Sequence, residues 1–287
     1  MGAAYTQRTK PNKILSTLSC LQLSVEILTA IVIEYSVMTP NDPWLFAKNS
    51  GEHNKAQFIA RMFARVSRRY DFLNTVITAG LHYQWRAKVA TLVAGKLTGP
   101  ALDVATGTGE FAFALAKNQT LNEIIGIDFV QEMVALGRIK ANRQQLHQKV
   151  TFLQANALCL PFADNTFACV TSGFAMRNVV NVSIAISEMT RVVRPGGRIA
   201  ILEIVPVEGT GMLKGALRCY FRRLVPILGG VLSGDREAYR YLPRSVDNFQ
   251  SADDLIKILE GEGLRVTHAR KIGSGIVTML IGEKQPS

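Results

Sequence analysis

One short segment, residues 101–117, constrains the fold of this chain more than any other. An apolar run over residues 101–105 contains a single acid, Asp103, and leads into a loop with Gly107 and Gly109. Helix-forming residues follow directly, over residues 110–117. A buried strand, a tight glycine turn and a helix start bring backbone N–H groups close to a ligand. The segment therefore predicts a ligand-binding strand–loop–helix unit.

Strand and helix patterns alternate through the rest of the chain. Apolar runs predict strands over residues 101–105, 123–128, 150–154, 167–171, 198–205, 265–270 and 276–282. Helical patterns lie over residues 55–69, 83–97, 110–117, 131–145 and 183–193, and Ser251 is predicted to cap a helix that ends at Glu260. The alternation predicts an α/β fold, a doubly wound, mostly parallel seven-stranded sheet of the Rossmann-like kind, with N-terminal helices and a helical insertion after strand 5.

Two further segments have an unusual composition. Pro195, Gly196 and Gly197 predict a sharp turn before the fifth strand. Residues 235–249 are rich in Arg, Tyr and Pro, and no helix or strand is predicted for them.

Residues 1–50 differ from the rest, and we expect them to form a poorly ordered N-terminal extension before a domain over residues 51–287. Three basic residues precede a moderately apolar stretch over residues 14–35, which is too polar for a membrane-spanning helix. Three interpretations stay open: a transit peptide, an interfacial helix, or sequence upstream of a true start at Met38.

Acidic residues around the glycine loop indicate what it binds. Asp128 lies 19 residues after Gly109, and an acid about 20 residues beyond such a loop commonly binds ribose hydroxyls. The spacing also fits a dinucleotide, but Asp103 and Glu110 flank the loop and would repel a pyrophosphate. S-adenosylmethionine is cationic and has no phosphate, so we expect this cofactor at Asp103, Gly107, Gly109 and Asp128. A dinucleotide is the alternative.

Two further candidate positions follow the third and fourth predicted strands. Asn156 and Ala157 come after the third strand, on the side of the crevice where an adenine would lie, and residues 160–162 offer an apolar wall. The alternative for Asn156 is a loop residue that satisfies its own turn. Arg177 follows the fourth strand, where it can contact a substrate oxygen or pair with a surface acid.

The formal net charge of +11 predicts attraction to anionic surfaces. No basic run is interleaved with aromatic residues, so we expect a membrane contact and no nucleic acid. A basic stripe with an apolar neighbouring face predicts an amphipathic helix that lies on an anionic membrane and ends near Pro226 and Gly229-Gly230. The stripe is Lys214, Arg218 and Arg222, beside Leu213, Leu217, Phe221 and Leu224. The alternative is a helix packed on the core.

Cysteine and histidine usage bounds the compartment and the chemistry. The four cysteines and four histidines are scattered, with neither C-x-x-C pairs nor metal-ligand spacing. We therefore expect no metal, and a cytoplasmic protein with peripheral contact to the inner face of the membrane. The oligomeric state is not decided by these patterns, and a homodimer stays open.

Four separated blocks in the chain resemble the UbiE-type ubiquinone/menaquinone C-methyltransferases, over about residues 52–284. The first runs from Tyr70-Asp71-Phe72-Leu73-Asn74 through Thr78, Gly80 and His82 to Trp85-Arg86. The others are residues 174–178 (FAMRN), 191–203 (RVVRPGGRIAILE) and 239–246 (YRYLPRSV). Four blocks in order are more specific than a single glycine loop.

The resemblance implies a class I S-adenosylmethionine-dependent methyltransferase that methylates a ring carbon of a demethylated prenylquinol, most closely demethylmenaquinol. It implies cofactor contacts at Thr108, Asp128, Asn156 and Ala157. We expect Arg177 to bind the quinol oxygen and stabilise phenolate charge. Tyr70, Asn74, His82 and Tyr241 are candidates to line the quinol pocket, with packing of the N-terminal helices as their alternative. The alternative function is methylation of another lipophilic substrate by the same fold.

Overall fold

The central element of the molecule is a seven-stranded sheet. The computed structural model describes residues 52–233 and 235–286, so the extension predicted over residues 1–50 lies outside the described residues. The strands are β1 (Gly99–Val104), β2 (Leu121–Asp128), β3 (Val150–Gln154), β4 (Phe167–Gly173), β5 (Val193–Ile204), β6 (Leu264–Ile272) and β7 (Val277–Lys284). Their order is β3-β2-β1-β4-β5-β7-β6, and β7 is antiparallel to both neighbours. The predicted mostly parallel, doubly wound sheet is confirmed.

Helices cover both faces of this sheet. They are α1 (Glu52–Thr78), α2 (Leu81–Ala94), α3 (Glu110–Ala116), α4 (Gln131–Arg143), α5 (Val182–Val192), α6 (Met212–Cys219), α7 (Val225–Ser233), α8 (Arg236–Asp247) and α9 (Ala252–Gly261). One apolar cluster packs α2, α3 and α4 on one face, and a second packs α5 and α9 on the other. Because helices cover both faces of the sheet, each buried strand is a nearly continuous run of apolar residues in the sequence. None of the described helices is both long and apolar enough to cross a membrane.

Phe152 on β3 shapes the face that carries α3 and α4. A Cβ atom added at Gly109, Gly126 or Gly137 would come within 2.5 to 2.9 Å of its ring. The loop, the second strand and the fourth helix therefore all approach the sheet through glycines that leave space for one aromatic side chain.

The strand order reverses between β1 and β4. Successive strands β1, β2 and β3 extend the sheet in one direction, and β4 and β5 extend it in the other. Loops after β1 and β4 therefore diverge to opposite faces and leave a crevice at the carboxyl edge, where ligands of such sheets bind.

Three local predictions differ from the structure in the bounds or the presence of an element. β5 begins at Val193, so residues 194–197 form an irregularity inside the strand rather than a turn before it. Helix α1 continues to Thr78 and includes the whole Tyr70–Asn74 block. Helix α8 occupies residues for which no helix was predicted, although Pro243 lies within it, and the Asp235 side chain caps its first turn.

The helical segment predicted to end near Pro226 and Gly229-Gly230 continues through all three residues to Ser233. A π-helical turn (Tyr220–Leu224) joins α6 to α7, and Pro226 lies in the first turn of α7, where a missing N–H is tolerated. The basic stripe also folds back on the protein. Lys214 Nζ donates to the carbonyl of Glu208, Arg218 donates to that of Gly209, and Arg222 pairs with Asp247.

Candidate active site

The carboxyl ends of the first four strands border a cavity of about 510 Å³. Six of the seven predicted cofactor-binding residues line it: Asp103, Gly107, Thr108, Asp128, Asn156 and Ala157. Gly109 does not. Its N–H donates to the Thr106 carbonyl at 3.0 Å, and its Cα faces the Phe152 ring beneath the loop. Gly109 thus permits the close packing of the loop on the sheet, with a positive φ of 94°.

Asp128 lies at the end of β2 and organises the glycine loop. Its Oδ2 accepts from the Gly107 N–H at 2.8 Å, and its Oδ1 accepts from the Val130 N–H at 2.9 Å. Burial raises the pKa of Asp128, and these backbone hydrogen bonds oppose that change. Each carboxylate oxygen keeps a further lone pair for a ligand hydroxyl.

Asp103 on β1 lies deeper in the same cavity. Its carboxylate accepts from the Thr106 hydroxyl at 2.5 Å and from the Thr171 hydroxyl at 2.8 Å. Burial raises the pKa of Asp103 to about 6, because the two hydroxyl donors only partly compensate the lost hydration. A cationic ligand beside this carboxyl would favour its ionised form.

Thr108 connects the glycine loop to helix α1. Its hydroxyl donates to Asp71 Oδ1 at 2.5 Å, and Lys140 from α4 lies 2.9 Å from Asp71 Oδ2. Lys140 also pairs with Glu110 at the start of α3. This group, which we call the Lys140 cluster (Asp71, Thr108, Glu110, Lys140), holds α1 across the loop.

The adenine side of the cavity differs from the prediction in its apolar wall. Leu160 is buried in the core, and Phe162 packs edge-on against Phe167 with ring centroids 5.0 Å apart. Neither lines the cavity. The apolar lining near Asn156 is instead Phe129, Val130, Met133 and Leu158. Asn156 Oδ1 accepts from the Leu158 N–H at 3.0 Å, so its side-chain oxygen caps its own turn, and the amide NH₂ is the group left for a ligand.

A second, largely apolar cavity of about 350 Å³ adjoins the first. Five residues line both cavities: Phe63, Tyr70, Asn74, Arg86 and Phe174. The structure places all the predicted substrate residues and the predicted catalytic residue along this second cavity. They are Tyr70, Asn74, His82, Tyr241 and Arg177.

Arg177 is buried and already paired in this second cavity. Its Nη1 lies 2.7 Å from Glu203 Oε1 and donates to the Phe174 carbonyl at 2.5 Å. Glu203 is fully buried on β5 and raises the pKa of Arg177 against the effect of burial. The Nε–H of Arg177 has no hydrogen-bond partner among the described residues.

His82 and Tyr241 are each held by hydrogen bonds within the protein. Arg86 Nη1 lies 2.6 Å from His82 Nδ1, and the Thr75 hydroxyl lies 3.2 Å from its Nε2. Since an arginine only donates, Nδ1 accepts and the ring is neutral with its proton on Nε2. Burial and the Arg86 charge lower the pKa of His82 to about 4. The Tyr241 hydroxyl donates to Asn178 Oδ1 at 2.8 Å, and burial raises its pKa.

Comparisons with known proteins show the family to which this chain is related. The model of the ubiE/COQ5 methyltransferase family matches residues 50–284. The chain belongs to the ubiE/COQ5 methyltransferase family. A demethylmenaquinone methyltransferase of Deinococcus radiodurans is 38% identical over 234 residues, which are 82% of this chain and 95% of that protein. A ubiquinone/menaquinone biosynthesis C-methyltransferase of Geobacter sulfurreducens is 38% identical over 231 residues, 80% of this chain and 90% of that protein.

Solved structures share the fold of this ubiE/COQ5 methyltransferase. A methyltransferase of Thermotoga maritima, described as S-adenosylmethionine-dependent, aligns with a TM-score of 0.54 at 16% identity, over 79% of this chain and all of that one. The [4+2]-cyclase SpnF aligns with a TM-score of 0.53 at 22% identity, over 70% of this chain and 82% of that one. A cyclase on the same scaffold illustrates that the fold alone does not fix the chemistry.

As a member of the ubiE/COQ5 family, the chain is a methyltransferase that uses S-adenosylmethionine as methyl donor. The first cavity suits this cofactor by charge. Of its described lining residues, four carry carboxylates (Asp71, Asp103, Glu110 and Asp128) and Arg86 is the single base. An excess of acids favours a ligand with sulfonium and ammonium groups and disfavours a pyrophosphate. The dinucleotide alternative is therefore wrong.

Three residues of the site were missed as functional candidates: Arg86, Lys140 and Asn178. Arg86 lies four residues after His82, so both side chains project from one face of α2. That spacing is the signal that could have marked Arg86. Lys140 lies 69 residues from Asp71, and no sequence pattern links the two.

Proposed function

We propose that this enzyme methylates a ring carbon of demethylmenaquinol, the reduced form of demethylmenaquinone. The observation that carries the proposal is the apolar second cavity, which shares five lining residues with the cofactor cavity. A bicyclic ring in the second cavity would contact the same side chains as the donor. The names of the relatives from D. radiodurans and G. sulfurreducens support a quinone-type substrate.

In this proposal the first cavity binds the cofactor and the second cavity binds the quinol. Asp128 holds the ribose, Asp103 lies near the cationic methionine portion, and the Asn156–Ala157 segment meets the adenine. S-adenosylmethionine supplies an electrophilic methyl group. The Lys140 cluster keeps α1 over the loop and so keeps Tyr70 and Asn74 between the cavities.

The second cavity orients the quinol for attack by its ring carbon. Phe63, Phe174 and the α1 side chains enclose the ring, and the unpartnered Nε–H of Arg177 is a donor for a ring oxygen. As the new C–C bond forms, the S–CH₃ bond breaks and its electron pair stays on sulfur. The proton on that ring carbon then leaves to solvent, and the electron pair of the C–H bond restores aromaticity. Placement of the two reactants in line is the chief contribution of the protein.

The test uses the purified full-length chain, S-adenosylmethionine and a short-tailed demethylmenaquinone analogue that is reduced in the assay. Mass spectrometry should show one added methyl group on the quinol and none on the same analogue kept oxidised, because only the reduced ring is nucleophilic. Absence of methylation of the quinol would overturn the proposal. A benzoquinol precursor of ubiquinone tested alongside measures ring preference.

Quinone analysis of a deletion strain complements the enzyme assay. Demethylmenaquinone should accumulate when the gene is deleted and disappear when the full chain is restored. Accumulation of a demethylated benzoquinone instead would assign the enzyme to the ubiquinone precursor.

We further propose peripheral contact with an anionic membrane through the surface around α7. Leu224, Leu228 and Leu232 follow each other at intervals of four, and 46%, 38% and 37% of their surfaces are exposed. Arg222 and Arg223 lie beside them and are also exposed. An apolar stripe next to basic residues is typical of interfacial helices.

Vesicle flotation tests this contact. The chain should float with anionic vesicles and remain unbound with zwitterionic ones, and Leu228→Glu should reduce flotation without changing turnover of a soluble analogue. Equal flotation of the variant would argue against this surface. Light scattering on the purified enzyme without vesicles would decide whether it is a homodimer.

A further inference from the structure

Arg86 carries a buried charge between the two cavities, and no acid in the described part of the chain pairs with it. Its side chain lines both cavities and is 6% exposed. Its hydrogen bonds go to His82, through the ring Nδ1 at 2.6 Å and the carbonyl at 3.4 Å, and its guanidinium lies 4.8 Å from the centroid of the Phe174 ring. None of these partners is negatively charged.

The acids nearest to Arg86 are engaged elsewhere. Lys140 pairs with Asp71 and Glu110. Asp103 is satisfied by the hydroxyls of Thr106 and Thr171. Within residues 52–233 and 235–286, none of these carboxylates forms an ion pair with Arg86. Burial lowers its pKa, although the more distant acids act in the opposite direction.

Arg177 provides the contrast within the same cavity. Its charge is balanced by the buried Glu203 carboxylate at 2.7 Å. Arg86 has no such partner among the described residues, so a ligand that fills the cavities removes the remaining hydration of its charge, at an effective cost of several kcal/mol unless the ligand supplies a counter-charge. A ligand that brings a negative charge to Arg86 would recover that free energy on binding.

The donor carries a sulfonium, an ammonium and one carboxylate, so its net charge is positive and its carboxylate is balanced within the same molecule. When it occupies the acidic cavity, it adds positive charge close to Arg86. The remaining ligand is the quinol, and the negative group it can form is an ionised ring hydroxyl. Since Arg86 lines both cavities, whereas Arg177 lines only the second, the oxygen that reaches Arg86 is the one nearer the donor.

We propose that Arg86 binds the ring oxygen next to the carbon that accepts the methyl group and holds it as a phenolate. This inference rests on the proposed function. On binding, the O–H bond breaks, the proton leaves to solvent and the electron pair stays on oxygen, from which it enriches the neighbouring ring carbon. Arg177, already balanced by Glu203, donates to the other oxygen of the ring. His82 is a positioning residue that accepts from Arg86 as a neutral imidazole.

The first test compares Arg86→Met with Arg86→Lys in the full-length chain. Met keeps the apolar stem and removes the charge, so R86M should fold, with a Tm at or above that of the wild type, and bind S-adenosylmethionine unchanged. A weaker affinity of R86M for S-adenosylmethionine would show that Arg86 pairs with the carboxylate of the donor and would overturn the proposal. Its kcat/KM for the quinol should fall about 100- to 1,000-fold, the usual loss on removal of one donor to a developing anion. R86K should recover part of that loss.

The pH profile separates binding of a phenolate from a merely structural role. In R86M, kcat/KM should require a higher pH, because the quinol hydroxyl then ionises without help from the protein. In R86K the profile should lie between those of R86M and the wild type. Full turnover in R86M, or an unchanged pH profile, would overturn the proposal. Loss of folding in R86M would overturn it too, since the charge would then be required by the protein itself.

A chromophoric phenol gives a readout without turnover. 4-Nitro-1-naphthol changes its visible absorbance on ionisation, and it can be titrated into the complex with S-adenosylhomocysteine. The wild type should bind the ionised form at pH values below the solution pKa of the probe, and R86M should not. Equal ionisation in both proteins would contradict the role of Arg86. Failure of the wild type to methylate the quinol, with ionisation of the probe intact, would instead contradict the proposed function.

Discussion

Arg177 Nη1 lies 2.7 Å from Glu203 Oε1, and the two side chains are 7% and 0% exposed. The pair joins the turn after β4 to the end of β5. Glu203 also accepts from the backbone N–H groups of Arg177 and Ile204, so its carboxylate is satisfied on several sides. The pair thus fixes one wall of the second cavity.

Removal of one partner of this pair should destabilise the fold. Arg177→Met leaves the Glu203 carboxylate buried without a counter-charge, at an expected cost of about 3 to 5 kcal/mol of unfolding free energy. Adding Glu203→Gln should recover much of this loss. The control is Lys271→Met, which breaks an exposed pair with Glu208 and should cost under about 1 kcal/mol. Urea unfolding measures all of these variants, and equal effects of R177M and K271M would contradict the expectation.

Asp128→Asn should weaken cofactor binding. The substitution removes the negative charge and replaces one of the two oxygens that hold the loop N–H groups. Loss of charged hydrogen bonds worth about 1.5 to 3 kcal/mol raises the Kd for S-adenosylmethionine roughly 10- to 150-fold. Calorimetry measures it, with Glu123→Gln as control because this acid is exposed on the same strand. An affinity of D128N equal to that of E123Q would remove Asp128 from the site.

His82 should make the stability of the wild type sensitive to acid. Its pKa is about 4 in the folded chain, against 6.5 for an unperturbed histidine. Between these values the unfolded state binds more protons, so the contribution is present above pH 6.5 and is lost as pH falls towards 4. His82→Gln lacks this contribution, so the stability of the wild type relative to H82Q should fall by about 3 kcal/mol between pH 7 and pH 4.

Asp103 acts in the opposite direction over the same range. Its pKa is raised to about 6, so its contribution is present below pH 3.8 and is lost as pH rises through 6. The wild-type curve therefore combines two opposing slopes, and the comparison with H82Q isolates one of them. Parallel curves for the two proteins in urea unfolding from pH 4 to 7 would show that His82 is not buried as described.

Two glycines in helices should respond in opposite directions to alanine. At Gly137 in α4 the new methyl group would lie 2.9 Å from Phe152 ring atoms, with an expected cost of about 1 to 3 kcal/mol. At Gly215 in α6 no atom lies within 4 Å, so alanine should stabilise by roughly 0.5 to 1 kcal/mol. Thermal unfolding decides, and the same sign for both variants would contradict the packing of Phe152.

The sheet could be predicted because burial on both faces leaves a plain apolar run in each strand. β3 was predicted with its observed ends, residues 150–154. The ends of β5 were not, because Pro195 and the two glycines read as a turn although the strand continues through an irregularity. Helix α8 was missed because Pro243, a residue that usually ends a helix, lies inside it, and because its first turn depends on the side chain of Asp235.

The cofactor cavity was better predicted than the substrate cavity for a physical reason. A strand-end acid and a glycine loop are local features, and the parallel sheet brings them to one edge. The second cavity depends on relations across the chain, such as Tyr241 with Asn178 and Arg177 with Glu203. Whether a buried arginine is balanced by an acid cannot be read from its own neighbours in sequence.

The Lys140 cluster connects the loop that binds the donor to the helix that borders the substrate cavity. Asp71 directly follows Tyr70 in α1. The contact between Asp71 and Lys140 therefore also positions Tyr70, which lines both cavities. A compound that competes for the Lys140 ammonium would loosen donor loop and acceptor wall together. A substitution at a residue that contacts only the cofactor or only the quinol would not restore this contact.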